Sequence, residues 1–335
     1  MGTIAIIGQG AMGRTHAKAW SNLGLGGQIR YVCTPRPGAP LEHAPAARFV
    51  TDLDTVLADP GVDILSVCTP TPSHADIATR ALRAGKHVLL EKPIALTLAD
   101  ARAIEREAGN SGSILMVAHV VRFFEGYRLI RDAADAGRLG HIVSARARRI
   151  IATPDSAAWW HDETQSGGVL VDLGIHDFDQ MNLFLGTPTA VRAVRHGSAG
   201  PVETTVEYLD GGIGQVLSAA NMPSGVPFTT SIELVGTAGL AEYQFSAGAS
   251  VGHAETGEAS CGVNTYRLAT AEAADSVAVV DDEPYTRQAQ YFLECVRNEA
   301  RPKFCPTESA ISALDVSLAA RASLLAGGDR VTFAR

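Results

Sequence analysis

A glycine-rich segment near the start of the chain has the residue types and spacing that hold a dinucleotide. It reads Gly8-Gln9-Gly10-Ala11-Met12-Gly13 and follows an apolar run at residues 3–7. Gly8 suits a tight turn, Gly10 lets the backbone approach a pyrophosphate, and Gly13 allows a helix to pack closely against a strand. The N-terminus of the following helix offers backbone N–H groups and a partial positive charge to the phosphates. The segment therefore predicts NAD or NADP binding, with a purely structural glycine turn as the other interpretation.

The end of the second strand candidate bears on the choice of nucleotide. An Asp or Glu about 20 residues beyond the glycines binds the ribose 2′-hydroxyl of NAD in such folds. Here the sequence is Cys33-Thr34-Pro35-Arg36, without a carboxylate. Thr34 can donate a hydrogen bond to a 2′-phosphate, and Arg36 can pair with it. These residues favour NADP(H) over NAD(H), unless Arg36 merely covers the adenine of either cofactor.

Two other segments place polar residues where predicted strands end. Thr69-Pro70-Thr71-Pro72-Ser73-His74 follows one strand candidate, and Glu91-Lys92-Pro93 closes another. Ligands bind at the carboxyl edge of open α/β sheets, so both segments are expected there. An isolated lysine is usually a solvated surface charge, but Lys92 lies between a strand end and a proline, which favours a role in the site.

Asp172 and His176 are four residues apart in the segment 167–179. On a continuous helix this spacing puts both side chains on one face, where a carboxylate can orient an imidazole. Two simpler interpretations are that Asp172 caps the following helix and that His176 is a core or capping residue.

The elements that must position these residues alternate in the first third of the chain. Short apolar runs at residues 3–7, 29–33, 64–68, 88–91 and 114–118 predict strands. Helices between them are expected to begin at Thr51, Ser73 and Thr97, each followed three residues later by Asp in a capping pattern. Such alternation predicts a Rossmann-type, doubly wound parallel sheet.

The pattern changes after about residue 120. Helical spacing at 125–136 and 172–185 and a strand near 142–151 precede strand candidates at 191–194, 202–209, 214–219 and 230–235. Helical spacing returns at 283–298 and 308–326. Successive strands without intervening helices indicate an antiparallel sheet. We therefore expect a nucleotide-binding domain at 1–120 and an α+β domain with a large, predominantly antiparallel sheet at 121–335.

Taken together, these motifs resemble the glucose–fructose oxidoreductase and inositol dehydrogenase family, written Gfo/Idh/MocA. The glycine segment, the Thr-Pro turn with His74, Glu91-Lys92-Pro93, Arg122-Phe123 and the Asp172 to His176 segment follow the family's order over nearly the whole chain. The resemblance implies a Rossmann domain, a C-terminal domain with a mainly antiparallel sheet, and a homodimer or homotetramer built through that sheet. It also implies redox chemistry at a carbinol carbon of a sugar, cyclitol or related polyol.

The resemblance also assigns roles to individual residues. Lys92 matches the catalytic lysine, Asp172 its supporting carboxylate and His176 the acid or base, and an imidazole with a pKa near 6.5 suits proton transfer at neutral pH. No metal site is implied. Residues expected to contact the cofactor are Gly8, Gly10, Ala11, Met12, Gly13, Thr34, Arg36, Cys68, Thr69, Pro70, His74, Glu91 and Lys92. Residues expected to contact substrate are Arg122, Trp160, His161 and Asp179.

Two departures from the family pattern leave the substrate open. Gly167-Gly168 is followed by Val169 rather than a third glycine, and His161 follows Trp160 where Arg is common. Trp160 is equally consistent with a core or interface aromatic. One alternative is a reductase of a non-sugar carbonyl or diol, similar to dihydrodiol dehydrogenase and biliverdin reductase. The other is a catalytically silent nicotinamide sensor, which would predict damage to the Lys92 or His176 motif.

Composition excludes several other classes. The 335 residues are 46% hydrophobic and 19% charged, with a formal net charge of -8. The acidic balance argues against a nucleic-acid-binding surface, which requires clustered Lys and Arg, unless the chain has a local basic pocket. We find neither an apolar run long enough to span a membrane nor a signal peptide, and five scattered cysteines do not form a disulfide or zinc framework. We therefore expect a cytoplasmic enzyme that binds neither nucleic acid nor membrane.

Overall fold

A computed structural model describes residues 2–152, 162–197, 200–247, 261–280 and 283–333. The strands in these ranges are β1 (Thr3–Ile7), β2 (Ile29–Cys33), β3 (Arg48–Val50), β4 (Val62–Val67), β5 (His87–Glu91), β6 (Leu115–Ala118), β7 (Ile142–Ile150), β8 (Pro188–Arg195), β9 (Val202–Tyr208), β10 (Ile213–Ala219), β11 (Thr229–Gly236), β12 (Gly239–Ala247), β13 (Cys261–Thr270), β14 (Ala274–Ala278) and β15 (Val331–Thr332). The α-helices are α1 (Ala11–Asn22), α2 (Leu53–Leu57), α3 (His74–Arg83), α4 (Leu98–Ser111), α5 (Glu125–Asp135), α6 (Glu163–Ser166), α7 (Val169–Asp172), α8 (Ile175–Leu185), α9 (Pro284–Arg297) and α10 (Thr307–Leu325). None of the described helices is long and apolar enough to cross a membrane.

The chain forms two compact units. The first contains Met1–Phe123 and Glu283–Ile311, and the second contains Phe124–Asp282 and Ser312–Arg335. A single boundary near residue 120 does not describe this division, because α9 and the start of α10 return to the first unit. Helical periodicity shows that a helix forms at 284–297, but it does not show which sheet the helix covers.

The first unit is built on a parallel sheet of six strands in the order β3-β2-β1-β4-β5-β6. Every neighbouring pair is parallel. Strands β1 and β2 match the sequence prediction residue for residue, and the Rossmann topology is confirmed. Strand β3 was missed because it has only three residues, of which Arg48 is exposed and the other two are partly buried, and it shows no long apolar run.

The core of the first unit explains why α9 belongs to it. Trp20 on α1 is fully buried and meets Phe292 on α9 edge to face, with ring centroids 6.5 Å apart. Asn22 Nδ2 also donates a hydrogen bond of 3.0 Å to Thr286 Oγ1. Burying an aromatic side chain is a large favourable contribution, so α1 requires an apolar cover on this face.

The second unit contains a nine-stranded sheet in the order β14-β13-β12-β11-β7-β10-β9-β8-β15. β7 and β10 run parallel, and the other described pairs are antiparallel. Burial alternates along β7, where Ala145, Ala147 and Arg149 are buried and Ser144 and Arg146 are less so. Helices α5 and α8 pack on the sheet. The predicted α+β arrangement with a mainly antiparallel sheet is confirmed.

Candidate active site

The glycine turn between β1 and α1 is a close-packed structure with one open position. Gly8 has φ +102°, and a Cβ there would lie 2.6 Å from the Cys68 carbonyl oxygen. A Cβ on Gly13 would lie 2.1 Å from the Gly8 carbonyl oxygen, whereas one on Gly10 would meet nothing within 4 Å. Gly8 and Gly13 are therefore needed for packing, and Gly10 leaves space beside the backbone.

The N-terminus of α1 fits an anionic group at this open position. Gly10 is the N-cap, no side chain caps the first turn, and that turn contains no acidic residue. Ala11 is exposed and Met12 is partly exposed. Backbone N–H groups and the helix dipole together favour a phosphate here. The residues present therefore fit the pyrophosphate of a dinucleotide.

The loop after β2 is attached to the glycine turn by a residue that sequence interpretation did not assign. Gln9 Oε1 accepts a hydrogen bond of 2.8 Å from the Gly38 N–H, and Gln9 Nε2 donates one of 2.5 Å to the Ala39 carbonyl. Thr34 is buried and Arg36 is exposed. A long polar side chain in a glycine-rich turn was the available signal for Gln9.

The Thr-Pro turn after β4 is held by its own side chains and by His74. Ser73 Oγ donates a hydrogen bond of 2.8 Å to the Pro70 carbonyl. His74 is 1% exposed, with Nδ1 2.8 Å from the Pro93 carbonyl oxygen and Nε2 2.9 Å from the Thr69 carbonyl oxygen. Because both ring nitrogens contact the backbone, these contacts favour a role in holding the turn over direct contact with a cofactor.

The protonation of His74 is under opposing influences. Burial lowers its pKa below 6.5, against the raising effect of the Thr69 and Pro93 carbonyl groups. A neutral ring donates only one hydrogen bond, so the neutral form satisfies one of the two carbonyl groups and protonation adds the second. The turn is therefore held by at least one donated bond in either state.

Glu91 lies at the centre of a buried hydrogen-bond network at the end of β5. Its Oε1 is 2.9 Å from His16 Nε2, and its Oε2 accepts a bond of 3.1 Å from the Lys92 N–H. His16 Nδ1 lies 2.6 Å from Ser66 Oγ, which also accepts a bond of 3.4 Å from Trp20 Nε1. His16 is 2% exposed and Ser66 is fully buried. The network joins α1, β4 and β5 and reaches the backbone N–H of Lys92.

The charge state of His16 follows from its neighbours. Burial alone lowers the pKa of His16, but Cys68 and Glu91 outweigh burial and raise it from 6.5 to about 10. The raised pKa and the contact with the Glu91 carboxylate favour the imidazolium form of His16 at neutral pH, in which the hydrogen bond to Glu91 is charge-assisted.

Lys92 begins the segment that leaves the carboxyl end of β5. It is partly buried, it makes a cis peptide bond with Pro93, and Pro93, Ile94 and Ala95 after it are buried. The carboxyl edge of the parallel sheet thus carries the glycine turn after β1 and Lys92 after β5. This is where ligands bind in open α/β sheets.

Arg122 has structural partners within the first unit. The residue is 3% exposed, Nη1 donates to the Phe304 carbonyl oxygen, and the guanidinium lies 5.9 Å from the centroid of the Phe304 ring. These contacts hold the segment after α9 to the end of the sheet. The expected contact of Arg122 with substrate stays a prediction.

In the second unit, the structure corrects the expected relation between Asp172 and His176. Asp172 is the last residue of α7, and His176 is the second residue of α8, whose N-cap is Gly174. The two residues therefore do not lie on one continuous helix from 172 to 185. Both are partly buried. Gly174 is closely packed, since a Cβ there would lie 3.0 Å from both the Leu170 carbonyl oxygen and Ser218 Oγ.

The residue after His176 is anchored by an ion pair that the sequence did not reveal. Asp177 is fully buried, and Arg149 on β7 contacts it through Nε to Oδ2 at 3.1 Å and Nη2 to Oδ1 at 2.9 Å. Burial raises the pKa of Asp177 and the Arg149 guanidinium lowers it. Because both carboxylate oxygens accept hydrogen bonds, the geometry favours the ionised form.

A tyrosine extends this ion pair toward the sheet. Arg149 Nη2 also donates to Tyr127 Oη at 3.2 Å, and this hydroxyl lies 2.8 Å from Thr230 Oγ1. The first turn of α8 is thereby fixed to β7, α5 and β11, and His176 with it. The sequence signal was the HDFD run, whose first Asp received no assignment.

The remaining substrate candidates are less informative. Asp179 is 1% exposed, and Gln180 Nε2 donates to its Oδ2 at 3.3 Å. Trp160 and His161 lie outside the described residues. Within the described part of the chain, no group of three His, Cys, Asp or Glu side chains is placed to hold a metal ion.

Known proteins resemble this chain along its whole length. It is 37% identical over 172 residues to the 1,5-anhydro-D-fructose reductase of Ensifer adhaerens, a match covering 50% of this chain and 51% of that enzyme. It is 26% identical over 348 residues to the scyllo-inositol 2-dehydrogenase (NAD(+)) of Bacillus subtilis (strain 168), covering 96% and 94% of the two chains. The structure of GenD2 from gentamicin A biosynthesis in complex with NAD superposes with a TM-score of 0.80 and 27% identity, covering 100% and 97%.

Two family models match successive parts of the chain. Residues 3–119 match the oxidoreductase family with an NAD-binding Rossmann fold, and residues 127–242 match the GFO/IDH/MocA C-terminal domain. The order of the two matches follows the order of the parallel and antiparallel sheets. The chain is a member of the Gfo/Idh/MocA family of NAD-binding oxidoreductases.

Proposed function

We propose that the chain transfers a hydride between the nicotinamide of NAD(P) and a carbinol or carbonyl carbon of a sugar, cyclitol or related polyol. The observation that carries this proposal is the placement of Lys92 at the edge of the sheet that also bears a glycine turn fitted to a dinucleotide. Two relatives named for a sugar derivative and an inositol support the substrate class.

Three side chains handle the proton in this proposal. In the oxidation direction, a ring nitrogen of His176 takes the proton of the substrate hydroxyl, and Asp172 supports the imidazole. The Lys92 ammonium donates a hydrogen bond to a substrate oxygen and stabilises developing negative charge there. The nicotinamide, when bound, accepts the hydride from the carbinol carbon.

The test follows nicotinamide absorbance with NAD⁺ or NADP⁺ and myo-inositol, scyllo-inositol or levoglucosan, and with reduced cofactor and 1,5-anhydro-D-fructose. Lys92→Met and His176→Asn should each lower turnover by about 10²–10⁴-fold. Their dissociation constants for the cofactor should stay within a few-fold of the parent value. Lys18→Met is the matched control, because Lys18 is a partly exposed lysine of the same unit that pairs with Glu283.

Two outcomes would contradict the proposal. Tight cofactor binding by the parent protein without turnover of any of these compounds would favour a sensor. Full turnover by Lys92→Met or His176→Asn would show that other residues carry the proton.

We further propose that NADP(H) is preferred over NAD(H), on the basis of Thr34 and Arg36. Some relatives are named for NAD(+) and others for NADP(+), so family membership does not decide which cofactor this chain prefers. A charge-assisted bond from Arg36 to the 2′-phosphate should make NADPH bind about tenfold to a hundredfold more tightly than NADH. Arg36→Ser should remove most of that ratio in a fluorescence titration, with Arg14→Ser as the control. Equal affinities of the parent protein for both cofactors would refute the preference.

We also propose an oligomeric state and a cellular compartment. We infer a homodimer or homotetramer formed through the face of the nine-stranded sheet that carries Ser144 and Arg146, opposite its buried residues. Cys33, Cys68, Cys295 and Cys305 are buried free thiols. Free thiols favour a reducing compartment such as the cytoplasm.

A further inference from the structure

Lys92 lies between two residues that are each attached to a buried histidine. On its N-terminal side, the Glu91 carboxylate contacts His16 Nε2 at 2.9 Å. On its C-terminal side, the Pro93 carbonyl oxygen contacts His74 Nδ1 at 2.8 Å. The two histidines come from different helices, since His16 lies on α1 and His74 begins α3.

The His16 attachment reaches the Lys92 backbone in two steps. His16 fixes one oxygen of Glu91, and the other oxygen accepts the Lys92 N–H at 3.1 Å. His16 is itself held by Ser66 on β4. With His16 and Glu91 both at or below 5% exposure, these bonds are shielded from competing water.

The His74 attachment acts on the other end of the same segment. His74 bridges the Pro93 carbonyl and the Thr69 carbonyl, so it joins the segment after β5 to the turn after β4. The ring is 1% exposed, which restricts its movement to that allowed by its packed neighbours.

A lysine that must place its ammonium on a reacting oxygen needs such support. Its side chain has four methylene groups and many rotamers, so precision must come from the backbone and the walls around it. A displacement of about 1 Å in a catalytic group can cost about a hundredfold in rate.

We propose that His16 and His74 are positioning residues for Lys92, His16 acting through Glu91 and His74 through the Pro93 carbonyl. This inference rests on the proposed catalytic role of Lys92. It assigns to both histidines a role in the turnover step, separate from cofactor binding.

Paired substitutions can separate positioning from general stability. The carboxamide of Gln reaches the place of a histidine Nε2, and that of Asn reaches the place of Nδ1. His16→Gln therefore keeps the donor to Glu91, whereas His16→Asn keeps only the contact with Ser66. At His74 the roles of the two substitutions are exchanged. His74→Asn keeps the contact with the Pro93 carbonyl, and His74→Gln keeps only the contact with the Thr69 carbonyl.

We expect Asn to impair turnover at position 16 and Gln to impair it at position 74. His16→Asn and His74→Gln should lower turnover by about 10- to 100-fold, with little change in the dissociation constant for NADPH or NADH. His16→Gln and His74→Asn should stay close to the parent. His87→Gln is the control. His87 is the first residue of β5, at the strand end opposite Lys92, and its Nδ1 atom accepts a hydrogen bond from the Ile114 N–H.

Hydrogen–deuterium exchange at the Lys92 amide supplies a measurement that does not need the substrate. His16→Asn should speed exchange at this N–H by about tenfold relative to His16→Gln, because Glu91 is no longer held in place to accept it. Equal exchange in the two variants, or equal turnover within each pair, would overturn the inference. If Lys92→Met retained turnover, the proposed function would fail, and the exchange result would still decide whether His16 positions the segment.

Discussion

The contacts of single residues were the feature of the structure that the sequence predicted least well. A strand end singled out Lys92 and a four-residue spacing singled out Asp172 and His176, but their catalytic roles came from the family resemblance. His16 was not nominated, because a lone histidine on an amphipathic helix resembles an ordinary core residue. Its partner Glu91 is 75 positions away, and only the folded sheet brings the two together.

The charge on His16 predicts a pH dependence of stability. Its pKa rises on folding from 6.5 to about 10. The resulting stabilisation is fully present below pH 6.5 and is lost as the pH rises through about 10, above which the ring is neutral in both the folded and the unfolded state. The groups around the ring are Glu91, Ser66, Cys68 and the Tyr285 ring.

Urea unfolding at pH values from 6 to 10 tests this expectation. The free energy of unfolding should fall by at least about 2 kcal/mol over that interval in the parent, and by clearly less in His16→Gln. The pH dependence of stability that comes from His74 has the opposite sign. Its pKa is lowered on folding, so its contribution to the free energy of unfolding is lost as the pH falls below 6.5. Parallel pH curves for parent and His16→Gln would show that His16 is neutral in the folded protein.

At the scale of elements, local signals predicted where helices begin better than they predicted a break within a helical pattern. The Thr97 cap is confirmed, since its Oγ1 accepts the Asp100 N–H at 3.1 Å. The cap of α2 is Asp52 instead of Thr51, because its carboxylate accepts the Asp54 N–H. The break between α7 and α8 was missed, because a single glycine inside an apolar pattern is also tolerated in an unbroken helix.

The glycine turn provides a prediction for one element and its ligand. Gly13→Ala should lower the free energy of unfolding by about 1–3 kcal/mol, because its Cβ would meet the Gly8 carbonyl oxygen. Gly10→Ala should leave stability within about 0.5 kcal/mol of the parent but weaken nucleotide binding, since its Cβ occupies the open space. Urea unfolding and fluorescence titration measure the two effects. Unchanged nucleotide affinity in Gly10→Ala would contradict the placement of the pyrophosphate.

For the whole molecule, the net charge of -8 gives the anionic cofactor no general attraction. Its binding must come from local groups, namely the α1 N-terminus and exposed cations such as Arg36. Composition and periodicity predicted the two sheets and their types. Composition and periodicity did not predict that residues 283–311 complete the first unit, because the hydrophobic pattern of a helix does not indicate which element the helix packs against.

The proposed oligomer gives a prediction at this scale. Ser144 lies on the central strand β7 between Ile213 and Val235 of the neighbouring strands, on the less buried face of the sheet. Ser144→Arg would place a charge within this apolar row and should shift the protein toward the monomer in light scattering. Thr55→Arg, at an exposed position of α2, should leave the mass of the oligomer unchanged. A monomeric parent protein, or an unchanged Ser144→Arg oligomer, would refute assembly through this face.

The return of α9 to the first unit has a consequence during synthesis. A ribosome makes the six parallel strands first, but the helix that covers Trp20 emerges only after strands β7 to β14 of the second sheet have been translated. Until then the nascent nucleotide-binding fold exposes an apolar face, which is the kind of surface that recruits chaperones or aggregates. A soluble nucleotide-binding fragment should therefore require residues 283–311 to be joined to residue 123 by a short linker.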